Sequence, residues 1–186
     1  MMCLPKLEPV WQLSGPVSMP GNTRITFNDI TWLDIADLDS FSIAFSFTNE
    51  NIWTYGMGEV FSWNGSASIN GSVNFVGYAN NKEGWSFRNW AYSPKTGVAI
   101  DTELHKVVII GEKAGTKRNY TVFFWGESCG LVKQTILNQN NNTSNDQPLS
   151  FGDPWKRVKG PMHDFAIYNK KLNDAQIEDY IGVAIV

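Results

Sequence analysis

The sequence predicts an all-β protein, a sandwich of two antiparallel sheets with one short helix near the C-terminus. Apolar and polar residues alternate over many short stretches, which is the period of a strand with one buried face. Gly, Asn, Asp and Pro, the residues that favour turns, separate these stretches. Many short strands with such punctuation are typical of a two-sheet sandwich.

The clearest strand covers residues 40–47, where Phe41, Ile43, Phe45 and Phe47 alternate with Ser and Ala. One face of this strand is expected to enter a core, and the other to meet water or ligand. The same reasoning predicts further strands over residues 24–27, 58–63, 73–78, 84–90 and 106–111.

Residues 120–125 are apolar at both parities. A strand of this kind either has its second face covered or presents an aromatic working surface, and both interpretations stay open. Residues 138–147 are almost wholly polar, which predicts a surface loop.

The helix is predicted from its cap. Asn173 is a suitable N-cap with Gln176 three positions later, and Ile177, Tyr180 and Ile181 follow at helical spacing. A packing role for this apolar stripe is favoured over a functional one.

Composition indicates one domain over residues 1–186, because 186 residues with 42% apolar content suffice for one sizeable core and hardly for two. The net charge of −3 provides no field to hold nucleic acid. Neither a membrane-spanning run nor a signal peptide is recognisable, so no membrane insertion is expected. Cys3 and Cys129 are expected to be free thiols.

A resemblance to a known family is carried by the C-terminal third. Leu-Ser-Phe-Gly at 149–152, the Gly-led strand from Gly160 to the Ile-Tyr-Asn at 167–169, and Leu172 before the capped helix resemble the last strands of laminin-G-like domains. Residues 40–47 and 105–110 are similar to their earlier strands, although Leu104 stands where the family usually has Trp. The resemblance implies a concanavalin A-like jelly roll, a fold that hosts lectins, carbohydrate modules, glycanases and adhesion domains alike.

Glycanases of this superfamily place acidic residues at alternate positions of one strand. The nearest spacing in this chain is Asp101 and Glu103, beside a predicted turn, and solvated loop residues are the favoured interpretation. His105 is expected to be a strand residue whose ring finds a hydrogen bond, and a structural role is also favoured for His163. We therefore predict no catalytic residues and no enzyme activity.

Calcium is the cofactor that the resemblance would suggest, because many relatives bind it through loop carboxylates. Asp34, Asp37 and Asp39 are spaced like such ligands, yet solvated turn residues are the favoured interpretation. We predict no metal site and no cofactor.

The feature that favours carbohydrate binding is the number of aromatic residues. The chain has eight Trp and six Tyr, many of them beside Asn, Ser or Gly. The C–H face of a sugar packs on an aromatic ring, while amide and guanidinium groups bond its hydroxyls. For any single Trp the core remains the more frequent location. The predicted carbohydrate-binding residues are Trp53, Tyr55, Trp85, Arg88, Asn89, Trp90, Tyr92 and Trp155.

Three functions are compatible with these patterns. The first is a non-catalytic carbohydrate-binding module of a larger protein, which recognises an extracellular or cell-surface polysaccharide. The low cysteine use and the Asn, Ser and Trp enrichment are similar in style to bacteriophage tail and adhesion modules, so a virion-surface or extracellular location and a role in phage adsorption are expected. The second is a glycanase or polysaccharide lyase of the same fold, and the third is a virion or adhesin protein-interaction domain.

Overall fold

A computed structural model describes residues 7–30, 33, 37–63, 73–79, 84–88, 96–140, 148–152, 154 and 157–185. Within these residues the chain forms strands and one short helix. The elements are β1 (Trp11–Gln12), β2 (Val17–Met19), β3 (Ile25–Phe27), β4 (Ser40–Thr48), β5 (Met57–Trp63), β6 (Val73–Tyr78), β7 (Gly84–Arg88), β8 (Leu104–Ala114), β9 (Lys117–Gly126), β10 (Gly130–Asn140), β11 (Leu149–Phe151), β12 (Gly160–Tyr168) and α1 (Asp174–Ile181).

The strands form two antiparallel sheets. Sheet A has the order β1-β12-β4-β8-β9-β10, with β2 also paired to β12, and sheet B has the order β3-β11-β5-β6-β7. The predicted sandwich of two antiparallel sheets with one short C-terminal helix is confirmed.

The main core lies between the sheets and is rich in aromatic rings. The alternating residues Phe41, Ile43, Phe45 and Phe47 of β4 are all fully buried in it, as the period-2 pattern predicted. The expectation that the other face of β4 meets water or ligand is wrong, because Ser42, Ala44 and Ser46 are buried too. Phe45 contacts rings from both sheets, with Phe61 of β5 at 5.0 Å between centroids. Such edge-to-face packing holds the two sheets together across the core.

A second apolar cluster covers the outer face of sheet A. Phe123 of β9 is buried there beside Val108 and the helix residues Ile177 and Ile181. The second apolar parity of residues 120–125 is therefore explained by cover from α1, rather than by an aromatic working surface.

The structure differs from the sequence predictions at β10. This strand runs through Asn140, so residues 138–140 are strand rather than the predicted loop; residues 141–147 lie outside the described residues. Pairing with β9 resumes after a bulge, where Asn138 has a positive φ of 58°. Backbone pairing does not require apolar side chains, which is why a polarity pattern missed it.

The helix begins at its predicted cap. The Asn173 side chain accepts a hydrogen bond from the Gln176 amide, and the Gln176 side chain accepts one from the Asn173 amide. In the described part of the chain, no helix combines the length and apolar character needed to cross a bilayer.

Candidate functional site

A loop at one end of the sandwich is the best candidate for a binding surface. Residues 49–56, which we call the display loop, connect the end of β4 with the start of β5 and therefore cross from sheet A to sheet B. Loops at such an end are free to carry binding residues while the sheets supply a rigid frame.

The base of the display loop is fixed by a buried amide. Asn49 is fully buried, and its Nδ2 donates to the carbonyl oxygen of Asp101 at 3.0 Å and also to that of Asn51. Its Oδ1 accepts from the Lys159 backbone amide at 3.4 Å. One side chain thus joins three chain segments beneath the loop.

The tip of the display loop is held as well. Asn51 Nδ2 donates to the Arg157 carbonyl at 2.7 Å, and the Trp53 indole N–H donates to the Gly56 carbonyl at 3.0 Å. Two side chains nevertheless point outward, since Ile52 is 62% exposed and Tyr55 is 74% exposed. An exposed ring on a fixed loop loses little conformational freedom when it binds.

A groove beside the loop has a volume of about 320 Å³, and we call it the end groove. Its lining includes Trp53 and Tyr78, with Ile100 and the small residues Gly84, Gly97 and Ala99. Small residues leave room for a ligand next to the two aromatic side chains. The combination of a concave shape and aromatic lining residues suits a sugar ring.

Trp53 reaches the groove because of a glycine. A Cβ at Gly77 of β6 would lie 2.9 Å from Cζ2 of Trp53 and 2.9 Å from Cζ3 of Trp85. The indole of Trp53 therefore packs over bare backbone and edge-on against Trp85, with centroids 6.0 Å apart. Trp53 is half-buried, so part of its ring remains accessible at the groove.

Trp85 requires a correction. Its side chain has no exposed surface and lies in the main core, with its ring 5.0 Å from Phe47 and 5.7 Å from His105 between centroids. A ring enclosed in this way has no face available to a sugar. The alternation along β7 explains the result, because Trp85 and Phe87 share the face turned toward sheet A.

Arg88 lies on the other face of sheet B and belongs to a polar row. One polar residue from every strand of the sheet is in register, in the order Thr26, Ser150, Ser62, Asn74 and Arg88. The three central members are buried, and Arg88 is half-buried.

The guanidinium of Arg88 connects this row with the end groove. Its Nη1 donates to the Tyr78 hydroxyl at 2.5 Å and to Met57 Sδ at 2.9 Å. Arg88 is therefore bonded to one residue that lines the end groove, although it is not itself part of the lining. The structure thus places Trp53 and Tyr55 together on the display loop, whereas Arg88 lies at the far end of β7 and only its side chain reaches Tyr78 and Met57. The remaining predicted site residues, Asn89, Trp90, Tyr92 and Trp155, lie outside the described residues.

The acidic residues considered for catalysis are engaged in the turn before β8. Asp101 Oδ1 accepts from the Glu103 amide at 3.1 Å and lies 2.6 Å from Nε2 of the fully buried His105. Glu103 Oε2 accepts from the Ser128 amide at 3.0 Å. Both acidic side chains are half-buried and held by these bonds, so they are turn residues but not freely solvated ones, and His105 has the hydrogen bond that was predicted for it.

Burial alone would raise the pKa of Asp101, but the hydrogen bond and electrostatic attraction of His105, together with hydrogen bonds from the Glu103 amide and the Trp85 side chain, outweigh it, so the pKa lies below 3.8. A carboxyl group with a lowered pKa is poorly suited to act as a general acid. His163 likewise has a structural contact, with Nε2 2.8 Å from the Thr48 hydroxyl.

Cys129 is a free thiol that lies close to Asp101 and Glu103. Its pKa is raised, first by burial and further by the negative charges of Asp101 and Glu103. A raised pKa disfavours the thiolate, the form that acts as a nucleophile. Cys3, the other predicted free thiol, lies outside the described residues.

Three acidic residues were considered as calcium ligands. Asp37 and Asp39 are exposed, and Asp34 lies outside the described residues. Where the chain is described, no group of three or more His, Cys, Asp or Glu side chains is arranged to hold a metal ion.

Sequence reasoning missed Asn49, Tyr78 and Arg157. The first is polar and buried, and the other two are single residues in unremarkable contexts, so neither composition nor period marks them. The glycines were the available signal, since Gly56 and Gly77 each allow a side chain to approach the backbone closely.

No protein-family model and no curated protein matches the chain. Solved structures do match it. The CBM40 module of IT-sialidase from Ruminococcus gnavus has a TM-score of 0.62 at 14% identity, over 93% of this chain and 100% of that one.

Two larger proteins contain a similar domain. The leech intramolecular trans-sialidase has a TM-score of 0.62 at 13% identity, over 97% of this chain and 29% of its own. The binding domain of botulinum neurotoxin DC, in complex with SialylT, has a TM-score of 0.57 at 16% identity, over 95% of this chain and 44% of its own. The chain thus spans a whole module in one neighbour and less than half of the other two, and at these identities the likeness establishes a shared β-sandwich fold.

Proposed function

We propose that this chain is a non-catalytic carbohydrate-binding module that binds a glycan at the display loop and the end groove. The observation that carries the proposal is the 74% exposed ring of Tyr55 on a loop whose backbone is fixed by hydrogen bonds. Trp53 and Tyr78 add aromatic surface in the adjoining groove. Stacking on such rings favours sugars without demanding one particular linkage.

The ligand class that we propose is a sialylated glycan of a cell surface or extracellular polysaccharide. The Ruminococcus gnavus module binds α2,3 and α2,6 sialyllactose, which supports this choice by analogy of fold. Arg88 supports it from within the chain, because its guanidinium lies beside the hydroxyl of Tyr78 and a guanidinium suits a sugar carboxylate. A virion-surface or extracellular location and a role in phage adsorption, as part of a larger protein, belong to the same proposal.

The test is a glycan array that includes sialylated and neutral glycans, followed by affinity measurements on Tyr55→Ala. Loss of one stacking ring is expected to cost about 1 to 3 kcal/mol, by analogy with base stacking on aromatic side chains. The affinity would then fall roughly tenfold to hundredfold. Because Tyr55 is exposed, the melting temperature of the Tyr55→Ala variant should stay close to that of wild type.

Leu137→Ala provides a matched control. Leu137 is another exposed apolar residue, at 59%, but it lies in β10 near the opposite end of the sandwich. Its replacement should leave glycan affinity unchanged. Absence of binding to every glycan, together with self-association in light scattering, would favour a protein-interaction domain. Release of reducing ends or unsaturated products from polysaccharides would favour an enzyme.

A further inference from the structure

Arg157 has a contact pattern that ties it to both sides of the display loop. Its Nε donates to the Tyr55 carbonyl at 3.2 Å, and its Nη1 donates to the Met57 carbonyl at 2.7 Å. Its own carbonyl accepts from the Asn51 side chain at 2.7 Å. The two donated bonds span the loop tip, and the accepted bond holds the start of the loop to the same residue.

Gly56 shows how closely this side chain lies against the loop. A Cβ at Gly56 would lie 2.7 Å from Nη2 and 2.9 Å from Cζ of Arg157. Gly56 also has a positive φ of 84°, which a residue with a side chain adopts only under strain. The absence of a Cβ therefore permits both the turn into β5 and the flat contact with the guanidinium.

We propose that Arg157 is a positioning residue of the glycan site: it fixes the backbone on both sides of Gly56 and thereby pre-orients the ring of Tyr55. The inference rests on the proposed function for its effect on affinity. A guanidinium offers several donors in a rigid fork, so one side chain can hold two carbonyls at once. Fixing a loop in its bound form lowers the entropy lost on binding.

The consequence is specific to the shape of the side chain and independent of its charge. Arg157→Lys keeps the positive charge but has a single ammonium on a flexible stem, which cannot reproduce the fork. Both Arg157→Lys and Arg157→Ala are expected to lower glycan affinity about three- to tenfold, since a mobile ring must be ordered on binding. If Arg157 instead acted as a charge for an anionic sugar, the Lys variant would keep most of the affinity.

Amide hydrogen exchange tests whether Arg157 fixes the display loop. It is measured for residues 52–57 in the full chain without ligand, in wild type, Arg157→Lys, Arg157→Ala and Gly56→Ala. Faster exchange confined to the display loop is expected in all three variants. Melting temperatures near wild type are expected for Arg157→Lys and Arg157→Ala, and a lower one for Gly56→Ala, because a side chain at its positive φ is strained. The double variant of Gly56→Ala and Arg157→Ala should exchange no faster than Gly56→Ala, because the added Cβ already displaces the Arg157 side chain from the loop. Lys113→Ala, an exposed cation at the other end of the sandwich, should match wild type.

Exchange at the wild-type rate in Arg157→Ala would overturn the proposal, as would full glycan affinity in Arg157→Lys. Because the exchange measurement needs no ligand, it tests whether Arg157 fixes the display loop separately from whether the chain binds a glycan. Slow exchange in wild type and fast exchange in the variants, with no glycan bound by any of them, would support the fixing of the loop by Arg157 and reject the proposed function. Should Arg157→Ala prove unstable, Arg157→Lys and Gly56→Ala carry the comparison.

Discussion

Trp85 and Tyr55 are the two extremes of aromatic exposure among the described residues predicted to bind sugar. Trp85 has no exposed surface, whereas Tyr55 exposes 74% of its side chain. Trp85 therefore fills core volume, whereas Tyr55 has the accessible face that the proposed glycan binding requires.

We expect Trp85→Ala to lower folding stability by about 3 to 5 kcal/mol, the usual cost of removing a large buried aromatic side chain. The lost volume would lie between Phe47, Phe75 and Trp53, which all pack around this ring. Denaturant unfolding of the variant measures the effect. A stability equal to that of wild type would show that the ring is not part of the core.

The hydrogen bond between Asp101 and His105 predicts a dependence of stability on pH. The folded pKa of Asp101 lies below the ordinary value of 3.8, so its ionised form is favoured in the folded state. Its contribution is fully present above pH 3.8 and is lost as the pH falls through the folded pKa.

Asp101→Asn should therefore cost about 1.5 to 3 kcal/mol at neutral pH, the range for a hydrogen bond to a charged group. The difference from wild type should shrink as the pH is lowered below 3.8. Unfolding free energies measured across this range test the prediction. A difference that stays constant down to low pH would assign the loss to packing instead of ionisation.

At the scale of elements, α1 depends on its cap and on one polar contact beside its apolar stripe. The hydroxyl of Tyr180 donates to Asp164, and Ser46 donates to the same carboxylate from β4. Burial, followed by the charge of Asp164, raises the pKa of Tyr180 above its usual range. Tyr180 therefore stays protonated and acts as the donor that fixes the helix to sheet A.

Replacement of the cap tests the contribution of the helix. Asn173→Ala removes the acceptor for the Gln176 amide and should cost about 1 kcal/mol. In a chain of this size that corresponds to a decrease in melting temperature of roughly 2 to 4 °C. Asn173→Asp keeps a capping oxygen and should remain close to wild type, so equal losses in both variants would contradict the capping role.

At the scale of the whole molecule, no metal ion is expected to contribute to folding. Asp37 and Asp39 are exposed, and a ligand that bound the folded state would raise stability by mass action. The melting temperature should therefore be the same in calcium and in chelator. A large decrease in chelator that calcium restores would assign a calcium site to the chain.

The sequence by itself determined the class of the fold and most of its strands. The pattern predicted β6 with its observed bounds and β4 to within one residue, because the side chains on one face of a strand repeat every two residues whatever its partners. The cap at Asn173 is equally local, since its hydrogen bonds connect residues three positions apart. Interactions between residues so close in the chain can be predicted from the local sequence.

Tertiary structure alone decided which aromatic rings are accessible and which residues meet at the end groove. Trp85 and Tyr55 each stand next to a glycine, yet Trp85 is buried in the core and Tyr55 is exposed on the display loop, where Arg157 donates to its carbonyl. Arg157 is 102 positions from Tyr55 in the chain. Contacts over such separations depend on how the sheets pair and pack, so no periodicity along the chain encodes them.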